Sequence, residues 1–169
     1  MIEYVKYFQK NLDIPDIKHI SLERSFCGPA IPMMYRFFEE KFPEAEKLEK
    51  AVVDSHDGSK EIIRKCLEEN PTPIFQNVFR LFMKIYEAAI GNYLAQHMCI
   101  GGLILVGSLT NGILPKISKM KLLEEWKKRH VEFASNIEDV PLIVCTEVDL
   151  GLKGAYVMAR RIIADEQHQ

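Results

Sequence analysis

Residues 88–108 read AAIGNYLAQHMCIGGLILVGS, a stretch in which an apolar helix, a strand and two small-residue turns follow one another. The helix ends near the pair Gly101-Gly102, and the all-apolar run 103–106 predicts a buried strand that ends at Gly107-Ser108. Small residues at the end of a strand let a flat ligand approach the backbone closely. Because open α/β sheets bind ligands beyond the carboxyl ends of their strands, this stretch predicts an α/β fold with a nucleotide shelf.

The remaining sequence predicts mainly helices around this strand. Apolar residues run almost all the way round a helix over residues 74–98, which is typical of a central, buried helix. Residues 119–133 form one amphipathic pattern and residues 156–164 a closing helix, while Asn111-Gly112 indicates a turn within 109–115.

A second apolar run at residues 142–146 predicts another buried strand. Two strands are too few for a self-sufficient sheet. We therefore expect the other strands in a missing amino-terminal half or in a partner, so that the chain forms a homo-oligomer or binds a chain that supplies strands.

Composition excludes several classes of partner. The 169 residues are 47 % hydrophobic and 27 % charged, as in one globular domain, and the net charge of −2 gives no general attraction to nucleic acid or anionic membranes. Four widely spaced cysteines indicate reduced, mostly buried thiols. The longest apolar run, 98–106, is half the length of a membrane span, and we expect a cytoplasmic protein.

Three motifs occur in the order found in a known family. HISLERSFCGPA at 19–30 resembles His-Val-Ser-x-Glu-Arg-x-x-Ser-Gly-Pro-Gly of the bacterial-type glucokinases, members of the actin-like sugar-kinase superfamily. The stretch 88–108 resembles the Gly-Asn-Leu-Ala helix, the Gly-Gly turn and the strand that reaches the adenine in that family. VPLIV at 140–144 and GLKGA at 151–155 resemble its Ile-Pro-Val strand and Gly-Leu-Leu-Gly-Ala helix start.

This resemblance implies a fold and a reaction. It implies that residues 1–169 are one helix-rich α/β domain, similar to the carboxyl-terminal part of an actin-like (ribonuclease H-like) sugar kinase with an incomplete sheet. The family transfers the γ-phosphoryl group of ATP to the 6-hydroxyl of glucose with Mg²⁺. In this chain the resemblance assigns Glu23 to glucose and Gly101, Gly102, Gly107 and Ser108 to the nucleotide, and it assigns no catalytic residue and no metal ligand.

Other parts of the family pattern are absent from the sequence. The phosphate-binding Asp-x-Gly-Gly-Thr, the catalytic Asn-Asp pair and the sugar-binding Glu-Gly-Gly-His do not occur among the 169 residues. Ser108 also stands where the family has a second glycine, and its Cβ narrows the shelf. We therefore expect the chain to need an amino-terminal half, and to be inactive and to bind ATP weakly by itself.

Two other functions fit the same sequence. The chain could be a non-catalytic remnant or a regulatory module that keeps the kinase fold, which the missing motifs and Ser108 favour. It could also be a generic nucleotide-binding α/β domain. Glu23 has a structural explanation as well, because an acid in the first turn of a helix is stabilised by the helix dipole.

Overall fold

The computed structural model of the chain describes residues 2–11, 20–114 and 122–166. The amino-terminal helices are α1 (Ile2–Asn11), α2 (Leu22–Phe26), α3 (Ala30–Lys41), α4 (Lys50–Val53), α5 (Gly58–Cys66) and α6 (Pro73–His97). Strand β1 (Leu103–Val106) and helices α7 (Ser108–Ile113), α8 (Glu124–Arg129) and α9 (Val131–Glu138) follow, and β2 (Leu142–Cys145) and α10 (Leu150–Glu166) complete the order.

Helix α6 is the centre of the fold, as the all-round apolar pattern predicts. Pro73 occupies its first turn, where a missing N–H costs nothing, and Met98 ends it in the left-handed conformation with φ 47°. Helices α2, α3, α5, α8 and α9 all pack against α6. The largest fully buried side chains of the described residues are Trp126, Tyr35, Phe82, Ile31, Met34, Ile62, Ile74, Leu94, Ile113 and Val78.

The sheet consists of β1 and β2, which pair in parallel with Leu103 opposite Leu142 and Val106 opposite Cys145. Successive side chains of a strand point to opposite faces. Leu103 and Leu105 pack against the helical core, whereas Ile104 and Val106 of the other face are 62 % and 49 % exposed. The prediction of a helix-rich α/β chain with a short parallel sheet is confirmed, and one face of that sheet has no cover from the described residues.

Helix α10 is longer than the predicted closing helix. It begins at Leu150 instead of Tyr156 and continues to Glu166. Every residue from Leu150 to Asp165 is exposed. This helix therefore projects from the end of β2 without joining the core.

Two sequence predictions about local structure are wrong. Asn111-Gly112 does not form a turn but lies in α7, because Thr110 and Ile113 are buried and hold this segment helical against the core. The single helix over residues 119–133 is replaced by α8 and α9, which His130 separates; residues 119–121 of that prediction lie outside the described part.

The cysteines differ from the prediction in their burial. Cys66 is buried, but Cys27, Cys99 and Cys145 are only half-buried. Burial raises the pKa of the Cys66 thiol to about 12, so this residue stays protonated and packs as an apolar group.

Candidate functional site

A cleft of about 860 Å³ lies between α3, α5 and α7. Its volume is in the range of small-molecule sites. The apolar part of the wall comes from Pro29, Pro32, Val53, Ile63, Leu67 and Leu109, with polar side chains around them. This is a surface on which a flat, mostly apolar ligand can lie.

Two of the three sequence motifs meet at this cleft. Gly28 of the first motif and Ser108 of the second both line it, although 80 positions separate them. The Ser59 hydroxyl donates a hydrogen bond of 2.7 Å to the Gly28 carbonyl and so fixes the turn between α2 and α3 against α5. The fold therefore brings together residues that the sequence shows only in succession.

Gly107 turns the chain from β1 into α7, and Ser108 is the first residue of that helix. Gly107 has φ 127°, a conformation that side chains with a Cβ rarely adopt, and its missing Cβ would face open space. Ser108 is exposed at the edge of the cleft. These two predicted site residues are thus accessible at the carboxyl end of a parallel strand.

Gly101 and Gly102 lie at the opposite end of β1. An extended strand rises about 3.3 Å per residue, so the four residues of β1 keep Gly101-Gly102 well over 10 Å from Gly107-Ser108. A Cβ on Gly102 would come within 3.2 Å of the Pro141 carbonyl oxygen, which shows that this glycine serves close backbone packing at the start of the sheet. The structure does not bring the four predicted nucleotide residues onto one surface.

Glu23 lies on α2, five residues before Gly28. The structure describes the backbone of Glu23, and His19 of the same motif lies outside the described residues. The Phe26 ring of α2 packs edge-on against the Tyr86 ring at 5.9 Å between centroids, and the Tyr86 hydroxyl shares a hydrogen bond of 2.9 Å with Thr110 of α7. Buried Tyr86 therefore fixes the helix that carries Glu23 and the helix that begins at Ser108 relative to α6.

Basic side chains along the cleft are neutralised by nearby acids. Arg36 pairs with Asp54, Lys60 pairs with Asp57 at 2.7 Å, and Arg64 bridges Glu61 and Glu68. The hydrogen bond from Lys60 lowers the pKa of Asp57 below its usual value. The rim is thus polar but has little net positive charge for a phosphate group.

Sequence reasoning missed the α3 and α5 side of this cleft. The residues of that side are scattered from Pro32 to Leu67 and belong to no motif. The only available signal was the amphipathic pattern of α5, which places Ile63 beside buried core residues and Lys60 and Arg64 toward water.

The described residues supply no acidic cluster for Mg²⁺. In residues 2–11, 20–114 and 122–166, no three His, Cys, Asp or Glu side chains lie together as metal ligands would. Asp54, the acid in the cleft wall, is already paired with Arg36. A bilayer-spanning helix is also absent from this part of the chain.

Comparison with known proteins identifies the family. The family model for glucokinase matches residues 2–162. The chain is 26 % identical to the glucokinase of Nostoc punctiforme, over 89 % of this chain and 47 % of that protein, and 23 % identical to the glucokinase of Synechocystis, over 93 % and 46 %. No solved structure gives a significant match.

The region that matches this chain is only part of each relative. The chain spans about half the length of the curated relatives that it matches, which is consistent with the carboxyl-terminal half of a bacterial glucokinase. On the match of the family model over residues 2–162, the chain belongs to the glucokinase family.

Proposed function

We propose that this chain is the carboxyl-terminal module of an ATP-dependent glucose kinase and supplies the adenosine side of its site. The observation that carries the proposal is the cleft between α3, α5 and α7, where two motifs of the family meet. The fold proposed for the completed molecule is the actin-like sugar-kinase fold, with β1 and β2 as part of a larger sheet. The product is glucose 6-phosphate.

The adenosine of ATP lies in the cleft, with its base near Gly107 and Ser108 and against the apolar wall. The paired cations at the rim do not favour the triphosphate. The phosphates and their Mg²⁺ therefore belong to residues outside the described part of this chain. Phosphoryl transfer depends on positioning and on neutralising the phosphate charge, so both halves of the site are needed.

Glu23 contacts the glucose hydroxyls in this proposal. A carboxylate accepts hydrogen bonds about twice as strong as those between neutral groups, which suits it to hold a sugar. Its helix α2 is anchored to α6 through Phe26 and Tyr86 and leads directly to Gly28 at the cleft. This arrangement supports a sugar contact on the side of the cleft nearest α2.

The second candidate function is a module that keeps the fold without catalysis. Ser108 at the shelf favours it, because a glycine there would leave more room for a base. The two candidates differ in whether nucleotide and sugar bind at the cleft and at Glu23, and the next two predictions separate them.

The wild-type chain alone is expected to bind ADP with a Kd in the millimolar range, which corresponds to about 4 kcal/mol of binding free energy. Ser108→Gly is expected to lower this Kd. The substitution removes a Cβ and a hydroxyl at the edge of the cleft and permits closer approach to the backbone. In the measurement, ADP is titrated into the chain, and the chemical shifts of the backbone amides are monitored by nuclear magnetic resonance.

Ser135→Gly is the matched control, because Ser135 is an exposed helical serine of α9 and is not among the residues that line the cleft. Shifts at Gly28 and in the segment 107–112 with tighter binding in the Ser108 variant alone support the adenosine proposal. Equal affinity in both variants, or shifts away from the cleft, would reject it.

Glu23→Gln is expected to raise the KM for glucose about tenfold with a smaller effect on the KM for ATP. Loss of a charge-assisted acceptor costs roughly 1–2 kcal/mol. The measurement is a coupled glucose-phosphorylation assay on a complemented assembly, in which this chain is co-expressed with the part of Nostoc punctiforme glucokinase that it does not match. This experiment tests the proposed function.

Glu132→Gln is its control, since Glu132 also lies in the first turn of a helix and tests the dipole explanation of Glu23. A selective change in glucose KM for the Glu23 variant supports the sugar contact. If both substrates are affected equally, or if the two variants behave alike, Glu23 has a structural role.

A further inference from the structure

The outward face of the sheet is an apolar surface without cover. Ile104 and Ile143, which are register partners across β1 and β2, are 62 % and 52 % exposed, and Val106 lies next to them. Parallel sheets occur almost only with both faces covered, because their strands carry apolar side chains on both sides. This surface is therefore typical of an interface whose other side is missing.

Helix α10 carries a second apolar surface. Leu152, Tyr156, Ile163 and the small residues Ala155 and Ala159 follow the spacing i, i+3, i+4, i+7 and i+11, which places them along one side of the helix. At 1.5 Å per residue, the 17 residues of α10 extend about 25 Å. All of these side chains are exposed, so the stripe packs on no other element of the described chain.

The two surfaces are neighbours, since only residues 146–149 separate β2 from α10. Glu147 orders this short connection by accepting hydrogen bonds from the Asp149 backbone N–H at 3.2 Å and from the Lys153 ammonium at 2.5 Å. These bonds link the first turn of α10 to the connection that follows β2. A partner that covers the sheet face therefore lies within a few residues of the start of the helix.

We infer that the outward sheet face and the apolar stripe of α10 form one docking surface for the amino-terminal half of a glucokinase-type polypeptide. This inference rests on the proposed function. The relatives are about twice as long as the matched region, so a segment of roughly equal size remains to be placed. Among the described residues, the outward face of β1 and β2 and the apolar stripe of α10 are exposed apolar surfaces against which this segment can pack.

The experiment uses the tagged full chain, co-expressed with the unmatched part of Nostoc punctiforme glucokinase and purified through its tag. The wild-type chain is expected to retain that polypeptide in a 1:1 ratio. Ile163→Glu in the stripe and Ile104→Glu on the sheet face are each expected to reduce retention at least tenfold. Both residues are exposed, so neither change disturbs the core.

Val131→Glu is the matched control, because Val131 is 72 % exposed on α9, outside the proposed surface. It is expected to retain the partner within twofold of wild type. Hydrogen exchange supplies a second readout: the amides of α10 and of both strands gain protection in the complex, and those of α5 do not. No retention by the wild-type chain, or equal retention by all variants, overturns the inference.

Two further outcomes would assign the surface to another occupant and overturn the inference. The first is a homodimer of the isolated chain that Ile163→Glu dissociates, as measured by light scattering. The second is co-sedimentation of the chain with anionic phospholipid vesicles that Ile163→Glu abolishes. A 1:1 complex with the expected variant pattern but without glucose phosphorylation would reject the proposed function and leave the docking surface standing.

Discussion

Gly91→Ala is expected to lower the free energy of unfolding by about 2 kcal/mol, within the usual range for overpacking a core. A Cβ at position 91 would lie 2.4 Å from the Cγ and Cδ2 atoms of Trp126, far inside van der Waals contact. Alanine normally stabilises a helix relative to glycine by up to ~1 kcal/mol, so the clash reverses the sign of the effect.

Trp126 cannot move away easily. Its ring is 1 % exposed, its indole N–H donates to Asn92 Oδ1 at 2.8 Å, and its backbone N–H donates to the buried Glu87 carboxylate at 2.8 Å. Glu87, Gly91 and Asn92 of α6 thus hold the Trp126 side chain of α8 in place. A methyl group added at position 91 would displace that side chain. The family-like pair Gly91-Asn92 has this packing role in the described structure.

Thermal or urea unfolding of the chain measures the effect. Gly112→Ala is the matched control, because a Cβ there meets nothing within 4 Å, and it is expected to leave stability unchanged or slightly higher. Combining Gly91→Ala with Trp126→Leu is expected to cost less than the sum of the two single changes, since the smaller side chain removes the clash. A Gly91→Ala variant as stable as wild type would show that the Trp126 ring does not pack against position 91.

The chain by itself is expected to show no measurable glucose phosphorylation. It lacks the family motifs for holding the β- and γ-phosphates and for taking the proton of the glucose hydroxyl. A positioned general base alone contributes about 10²–10⁴ in rate, and positioning of the two reactants contributes more. A coupled assay on protein from a host strain without its own glucokinase tests this, and turnover of order 1–100 s⁻¹ would reject the two-part account.

Sequence patterns predict the elements that consist of continuous apolar residues, but they do not predict that one face of the two strands is exposed. Helix α6 and the two strands are recognisable because their apolar residues are continuous, and the parallel pairing follows from their type. Asn111-Gly112 gave the wrong prediction because local turn preference is weaker than the burial of Thr110 and Ile113, which only the folded chain reveals.

The candidate site was predictable only in part. Ser108 and Gly107 stand next to a clear strand, so their exposure at its carboxyl end follows from the pattern. The α3 and α5 wall of the cleft could not be found, because its residues come from distant positions without a shared spacing. The separation of Gly101 and Gly102 from the cleft follows from the rise of a strand, which a motif comparison ignores.

The most direct test of the account compares glucose phosphorylation by the chain alone with that by the complemented assembly under identical conditions. The account predicts no turnover for the chain, and turnover for the assembly that Glu23→Gln weakens through the KM for glucose. A stable 1:1 assembly without any turnover, at saturating glucose, ATP and Mg²⁺, would contradict the claim that this chain is one half of a glucose kinase.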